Sequence, residues 1–154
     1  LKWLYFIPST LYGPDFDLDD NHFIFDLIRN CHNAKNKNIP FTIWGDGNQR
    51  RELVYVTDAV STILSLLQEE NQVFNIASGK DYSINEFAKK VCEIIGYEYN
   101  KLNRDLNKYV GVKEKLIDIK RTQEAISKQN YPSPRTSLEK GLATTINYFT
   151  NSTK

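Results

Sequence analysis

The sequence predicts an α/β fold, because strand-like segments alternate with amphipathic helices along its 154 residues. The segment Trp3–Ile7 is aromatic and aliphatic without a break, which is typical of a strand that is buried on both faces. Three further strands are expected at Phe41–Trp44, Glu52–Val56 and Val73–Ala77. A chain of this length can form one domain with a hydrophobic core of its own.

Helices are expected where apolar residues recur three or four positions apart. The first such pattern begins at His22, with Asn21 or Asp20 as the N-cap, and the polar run 33–38 ends it. Asp58 is expected to cap the second helix.

The third helix is expected to open with a capping box, Ser83–Glu86, and to end at Gly96. A fourth is expected at 118–128, with Asp118 as its cap. A second capping-box spacing, Thr136–Glu139, predicts a last helix that runs to Phe149.

Three segments are predicted to be non-helical connections. Pro8–Pro14 is interpreted as a loop, the stretch 97–112 as irregular, and Pro132 and Pro134 as breaks before the last helix.

Composition excludes several classes of protein. A net charge of +1 provides no overall field that would attract nucleic acid or a membrane surface. No apolar run has the length of a membrane span, and no signal peptide is visible. Cys31 and Cys92 lie in apolar helical patterns and are interpreted as buried free thiols, which suits a reducing, cytoplasmic setting. With His22 and His32 they show no metal-ligand spacing, so no metal site is expected.

The segment Pro8–Pro14 is the first candidate for function. It follows a predicted buried strand directly, and ligands of open α/β sheets bind beyond the carboxyl ends of strands. The alternative is a rigid turn, which two prolines and a glycine would also favour.

The second candidate is the cluster Trp44–Leu53. Its Gly-x-Gly lies between two predicted strands and leads into no helix, so it is not a cofactor loop. Arg50 and Arg51 offer planar guanidinium groups that match phosphate oxygens in pairs. The alternative is a solvated charge pair with Glu52.

The third candidate is His22 at the start of the first helix. An imidazole is the usual general acid or base near neutral pH. The alternative is a partly exposed helix-start residue with no chemical role.

Taken in order, these segments resemble extended short-chain dehydrogenases that act on nucleotide sugars, the NAD-dependent epimerase/dehydratase family. The family loop Pro-Thr-Asn-Leu-Tyr-Gly-Pro is similar to Pro8–Pro14, and its Asn/Ser-His step is similar to Asn21-His22. The family pattern Trp-Gly-x-Gly-x-x-x-Arg-Glu-Phe is similar to Trp44–Leu53, and a later Lys-Leu-Leu-Asp step is similar to Lys115–Asp118. The similarity covers nearly the whole chain.

The resemblance implies how much of an enzyme this chain represents. It implies that residues 1–154 are the C-terminal substrate-binding portion of an extended short-chain dehydrogenase. That portion completes a Rossmann-type domain whose N-terminal cofactor-binding part is missing. The family's Gly-rich loop and its catalytic tyrosine and lysine lie upstream of the segment that resembles Pro8–Pro14.

The resemblance also implies roles for individual residues. His22 is the general acid of C3/C5 epimerisation. The residues that meet the cofactor are Pro8, Ser9, Thr10 and Leu11. The residues that bind the substrate are Asn21, Arg29, Trp44, Arg51 and Lys115. The sequence departs from the family at Thr10, which replaces an asparagine, and at Asn30, where an arginine of the nucleotide site is common.

The expected function follows from these roles. The chain is expected to bind a nucleoside-diphosphate sugar for C3/C5 epimerisation and NADPH-dependent C4 reduction of a 4-keto sugar, in a homodimeric enzyme that binds neither nucleic acid nor membrane. One alternative is a plain epimerase or dehydratase on a UDP- or dTDP-sugar, which needs no histidine at position 22. Another is a non-catalytic ligand-binding module, and the isolated chain is expected to be inactive.

Overall fold

Strands and helices alternate through the residues that the computed structural model describes, which are 1–128 and 135–153. The strands are β1 Leu4–Pro8, β2 Thr10–Tyr12, β3 Thr42–Trp44, β4 Arg50–Tyr55, β5 Gln72–Ile76, β6 Asp81–Ser83, β7 Asn103–Asp105 and β8 Glu114–Lys115. The helices are α1 Phe23–Lys37, α2 Val56–Ser65, α3 Ile84–Ile95, α4 Lys120–Ser127 and α5 Leu138–Ser152, with a 3₁₀ turn at Tyr99–Lys101. The predicted α/β fold is confirmed. The breaks expected at Pro132 and Pro134 lie outside the described residues.

Strand β4 connects the elements that form the site. Its second half pairs in parallel with β2 over Leu53–Tyr55. Its first half lies between β6, which runs antiparallel to it, and β8, which runs parallel to it. Two further parallel pairs, β1 with β5 and β3 with β7, lie outside this sheet. The start of β4, which carries both arginines, is therefore enclosed by strands on both sides.

The larger hydrophobic cluster lies where α1, α3 and α5 pack together, and Ile28, Phe87 and Leu142 are fully buried there. Cys31 and Cys92 belong to this cluster, with their Sγ atoms 3.8 Å apart, and both are free. The hydrogen bond with Cys92, together with burial, raises the pKa of the Cys31 thiol. The prediction of buried free thiols is confirmed.

The smaller cluster lies against β1 and β5, and here the prediction for the first strand is wrong. Phe6 stacks on Phe74 and is partly buried. On the opposite face Tyr5 is 64% exposed and Ile7 is 43% exposed. No described element covers that face, so β1 is buried on one face only.

The predicted helix ends are confirmed where the capping hydrogen bonds join residues of the same helical turn. The capping box of Ser83 and Glu86 is present, and α3 ends at Gly96 in the left-handed conformation. The N-cap of α1 is His22 rather than Asn21 or Asp20, because the Asp20 carboxylate instead accepts the backbone N–H of His22.

Two other predicted caps are wrong for the same kind of reason. Helix α2 begins after Tyr55, and the Asp58 carboxylate accepts hydrogen bonds from the N–H and the hydroxyl of Thr136. Because Thr136 is engaged with Asp58, Ser137 caps α5. Among the described helices, none combines the length and the apolar character that crossing a bilayer requires.

Candidate functional site

A cavity of about 420 Å³ lies between the start of α1, β3 and the start of β4. Three of the predicted substrate-binding residues, Asn21, Trp44 and Arg51, line it together. Its other lining residues are Phe23, Asp26, Leu27, Asn30, Phe41, Thr42, Ile43, Gln49, Ile84, Tyr109 and Val110. Mostly apolar walls with a few polar groups are typical of a small-molecule site.

Arg51 is held by backbone carbonyl groups. One terminal nitrogen donates to the oxygens of Arg50 and Val112, at 2.7 and 2.9 Å, and the other donates to the oxygen of Val110 at 2.8 Å. These bonds use three of the five N–H groups that a guanidinium carries, so donors remain for a ligand. Arg51 makes no ion pair with Glu52 in the described structure. The alternative interpretation, a solvated charge pair between the arginines and Glu52, is therefore wrong.

Residues 106–113, which we call the strap, form one side of the cavity through Tyr109 and Val110. The ammonium of Lys108 lies 5.5 Å from the ring centre of Trp44 on the facing strand end. A Cβ atom at Gly45 would meet the Val110 side chain at 2.5 Å, so a glycine allows the strap to lie this close. The strap and the Trp44–Gly45 turn are therefore packed against each other.

Lys115 lies beside Arg51, because β8 pairs with β4 and these two residues are partners in register. Cross-strand partners project from the same face of a sheet, so two cationic side chains emerge side by side. Adjacent like charges repel unless an anion lies between them. The pair is thus a suitable place for the phosphate groups of a ligand.

Glu52, next to Arg51 in β4, has a structural role that the sequence analysis missed. Its side chain is buried, and its carboxylate accepts hydrogen bonds from the N–H of Gly79 at 2.6 Å and from the N–H of Ile117 at 3.0 Å. It therefore ties the end of β5 and the segment after β8 to β4. An acidic residue that directly precedes the apolar run Leu53–Val54 of a predicted strand is the signal that could have indicated this role.

Gln49 was missed as well. Its side-chain N–H donates to the backbone oxygen of Trp44 at 3.0 Å, while its buried Oε1 has no partner among the described residues. Since Gln49 also lines the cavity, it contributes one polar group to a mostly apolar wall.

His22 lies next to the cavity, between the lining residues Asn21 and Phe23. Its ring packs against Phe23 and Phe25, and its Nδ1 is buried without a partner among the described residues. Burial lowers the pKa of His22 most, with a further decrease from Lys115. The surroundings therefore favour the neutral imidazole over the imidazolium.

Arg29 is not among the residues that line the cavity. Its guanidinium donates to the backbone oxygens of Leu18 and Asp20 and to the carboxylate of Asp26. These groups surround the start of α1.

The predicted cofactor-binding residues lie where the chain passes from β1 to β2. Pro8 is the last residue of β1, and Thr10 and Leu11 belong to β2, so the interpretation of this segment as a loop is wrong. The N–H of Ser9 donates to the oxygen of Ile76 at 2.9 Å, while the buried Ser9 hydroxyl has no partner among the described residues. An unpaired hydroxyl at the carboxyl end of a parallel strand fits the polar edge of a cofactor or substrate.

Within residues 1–128 and 135–153, no three His, Cys, Asp or Glu side chains form a group that could hold a metal ion.

The passage from β1 to β2 at Ser9, the helix that starts behind His22 and the strand start at Arg51 together define an extended short-chain dehydrogenase. The chain belongs to the NAD dependent epimerase/dehydratase family, whose model matches residues 1–77. The family resemblance is confirmed.

Similarity to individual proteins extends beyond the matched half. GDP-L-fucose synthase of Sinorhizobium fredii is 35% identical over 148 residues, which are 93% of this chain and 45% of that protein. The structure of UDP-glucose 4-epimerase from Thermotoga maritima with UDP-glucose superposes with a TM-score of 0.83 at 26% identity, over 100% of this chain and 48% of that one. MoeE5 in complex with UDP-glucose and NAD superposes with a TM-score of 0.75 at 28% identity, over 98% and 48%. The chain thus spans about half the length of the proteins it matches.

Proposed function

We propose that this chain is the substrate-binding portion of a nucleotide-sugar epimerase/reductase. In this proposal the enzyme binds a nucleoside-diphosphate sugar, epimerises C3 and C5 of a 4-keto sugar and reduces C4 with NADPH. The observation that carries the proposal is the position of Arg51, which lines the cavity and is the register partner of Lys115. The similarity to GDP-L-fucose synthase favours this combination of reactions.

The nucleotide would occupy the cavity and the two cations beside it. The apolar walls and Trp44 suit a planar base, and the remaining Arg51 donors suit phosphate oxygens. The Lys115 ammonium, which is exposed, adds a point charge to the same phosphates. Anchoring the diphosphate there would direct the sugar towards His22.

His22 would act as the general acid of the epimerisation. A base in the polypeptide outside these residues would take a proton α to the ketone, and His22 in its imidazolium form would return a proton to the opposite face of that carbon. The enolate formed between these steps needs a hydrogen-bond donor, which the resemblance assigns to a tyrosine outside these residues. The unpaired Nδ1 supports this role, because a nitrogen without a partner can carry the proton that is returned. The lowered pKa makes the imidazolium a stronger acid but a smaller fraction of the enzyme near neutral pH.

A nicotinamide cofactor supplies the hydride for C4 when it is bound. The residues proposed to meet it are Pro8, Ser9, Thr10 and Leu11, where the Ser9 hydroxyl is unpaired and Leu11 is partly exposed. We propose that NADP is the cofactor and that polypeptide outside residues 1–154 holds most of it. The exposed face of β1 would pack against that part. A cytoplasmic homodimer completes the proposal, since buried free thiols suit a reducing compartment.

A second candidate function is a plain epimerase or dehydratase that acts on a UDP- or dTDP-sugar. The similarity to a UDP-glucose 4-epimerase along the entire chain favours it. Such an enzyme does not need a proton donor at His22, so the two candidates differ in the role of one residue.

Two substitutions in the complete enzyme test the proposal as a matched pair. His22→Gln should reduce solvent deuterium incorporation at C3 and C5 of the 4-keto GDP-sugar by about 10²–10⁴-fold, the usual effect of losing a general acid or base. Arg51→Ala should weaken GDP binding, measured by calorimetry, by about 1.5–3 kcal/mol, the value of a hydrogen bond to a charged group. His22→Gln should leave GDP binding unchanged.

Each result has a counterpart that contradicts the proposal. Wild-type exchange in His22→Gln would favour the plain epimerase or dehydratase. Unchanged GDP affinity in Arg51→Ala would show that Arg51 only holds the strap.

A further inference from the structure

Arg29 has an unusual set of partners for a residue that resembles a substrate ligand. It lies in the second turn of α1, and only 25% of its side chain is exposed. It donates to the backbone oxygen of Leu18 at 2.6 Å and to that of Asp20 at 2.7 Å. It also pairs with the Asp26 carboxylate at 2.7 Å. All three partners belong to the chain segment on either side of His22.

Asp20 connects Arg29 to His22. The Asp20 backbone oxygen is held by Arg29, and its carboxylate accepts the backbone N–H of His22 at 2.8 Å. On the other side of His22, the N–H of Asp26 donates to the His22 oxygen at 3.0 Å, and Arg29 holds the Asp26 carboxylate. One guanidinium thus holds both residues, Asp20 and Asp26, that hydrogen-bond the backbone of His22.

This arrangement replaces a cap that His22 cannot provide. His22 occupies the N-cap position of α1 in an extended conformation, and its side chain makes no capping hydrogen bond. A loop end without such a bond leaves the backbone free to rotate, and the imidazole would move with it. The planar guanidinium, with donors in a fixed geometry, restrains that rotation.

We infer that Arg29 is a positioning residue for His22, and that it does not bind the nucleotide sugar. The inference rests on the proposed function, because it needs His22 to be the general acid. Proton transfer depends steeply on the position of the donor, and a displacement of about 1 Å can reduce a rate by about 10²-fold. Loss of Arg29 should therefore affect the exchange step and leave ground-state binding of the substrate intact.

The test compares Arg29→Ala with a surface control in the complete enzyme. Arg121 is the control, because its guanidinium also donates to a backbone oxygen, that of Val73. Deuterium incorporation at C3 and C5 of the 4-keto GDP-sugar gives kcat and KM for the exchange. Arg29→Ala should lower kcat by about 10- to 100-fold with an unchanged KM. Arg121→Ala should change neither.

A double substitution shows whether the effect passes through His22. In the His22→Gln background, Arg29→Ala should cause no further loss, since the group that it positions is already gone. If Arg29→Ala does not fold, Asp20→Ala removes the carboxylate that accepts the His22 N–H and should lower kcat in the same way. Asp20→Asn, which keeps an acceptor oxygen but removes the charge that acts on the pKa of His22, should retain most of kcat.

The outcomes separate this inference from the proposed function. A raised KM with an unchanged kcat would show that Arg29 contacts the substrate and would overturn the inference. An equal fractional loss in the wild-type and His22→Gln backgrounds would overturn it too, while the proposed function would stand. Wild-type exchange by His22→Gln would instead refute the proposed function itself.

Discussion

Burial against aromatic rings is the main cause of the lowered pKa of His22. The imidazole lies against Phe23 and Phe25, and removal of the charged form from water lowers its pKa below the ordinary value of 6.5. Lys115 acts in the same direction, whereas the carboxylates of Asp20 and Asp26 oppose it. The sequence shows these acidic neighbours, but it does not show how deeply the ring is buried.

This lowered pKa predicts how stability depends on pH. Below pH 6.5 the unfolded state binds a proton at His22 more readily than the folded state does, so folding is disfavoured progressively as the pH falls. The free energy of unfolding should therefore decrease more steeply for wild type than for His22→Gln on acidification, and their difference should be constant above neutrality. Denaturant titrations between about pH 7.5 and 5.5 measure this difference. Parallel curves for the two proteins would contradict the prediction.

The strap is held in place by residues that lie far from it in the sequence. The carbonyl groups of Val110 and Val112 are held by Arg51, and Lys108 lies over Trp44. A diphosphate that binds Arg51 would thus contact the same guanidinium that holds the strap. We expect the position of the strap and the affinity for the nucleotide to be coupled.

Two glycines provide a matched test of this coupling. Gly45 and Gly96 both have a positive φ, of 70° and 78°, so alanine should reduce the free energy of unfolding by roughly 1–2 kcal/mol at either position. Only Gly45→Ala also displaces Val110, which a Cβ atom would meet at 2.5 Å. Its affinity for GDP should decrease, whereas Gly96→Ala, whose nearest neighbour is the flexible end of Lys35, should bind GDP normally.

Calorimetry with GDP and thermal unfolding of both variants measure the two effects separately. An equal affinity of the two variants for GDP would show that the strap does not contribute to the nucleotide site.

At the scale of the whole molecule, two of the places where the described chain exposes apolar side chains lie away from the cavity. One is the face of β1 that carries Tyr5 and Ile7. The other is the side of α2 that carries Val60 and Leu64, together with Leu67 in the turn that follows the helix. Where exposed apolar side chains form a contiguous patch, the patch marks contact with another part of a protein or with a partner. It agrees with the proposal that a cofactor-binding part packs against this chain.

The chain alone should bind GDP but not NADPH. It contains the cavity and Arg51, whereas the proposed cofactor contacts at Pro8–Leu11 supply only one edge of a cofactor site. Fluorescence titration of the 154-residue chain with NADPH should show no saturable binding in the micromolar range. GDP binding to the same sample, lost in Arg51→Ala, serves as the control for folding. Micromolar affinity for NADPH would contradict the prediction.

The sequence by itself determined the features that depend on neighbouring residues. Apolar periodicity defined the long helices, and the capping box at Ser83 and the stop at Gly96 followed from contacts within one turn. The order of the family segments indicated His22 and Arg51 before their surroundings were visible.

Only the tertiary structure decided the features that depend on residues far apart in the chain. Strands β2, β6, β7 and β8 are two or three residues long and too short to show a periodicity, so pairing with distant partners defines them. Arg51 reaches a carbonyl 59 positions away, and Glu52 accepts an N–H 65 positions away. The same holds for the exposure of Tyr5, because an apolar strand carries no local sign of what covers each face. Long-range strand pairing and burial are properties of the assembled fold, whereas helix caps and the helical spacing of apolar residues depend on short stretches of sequence.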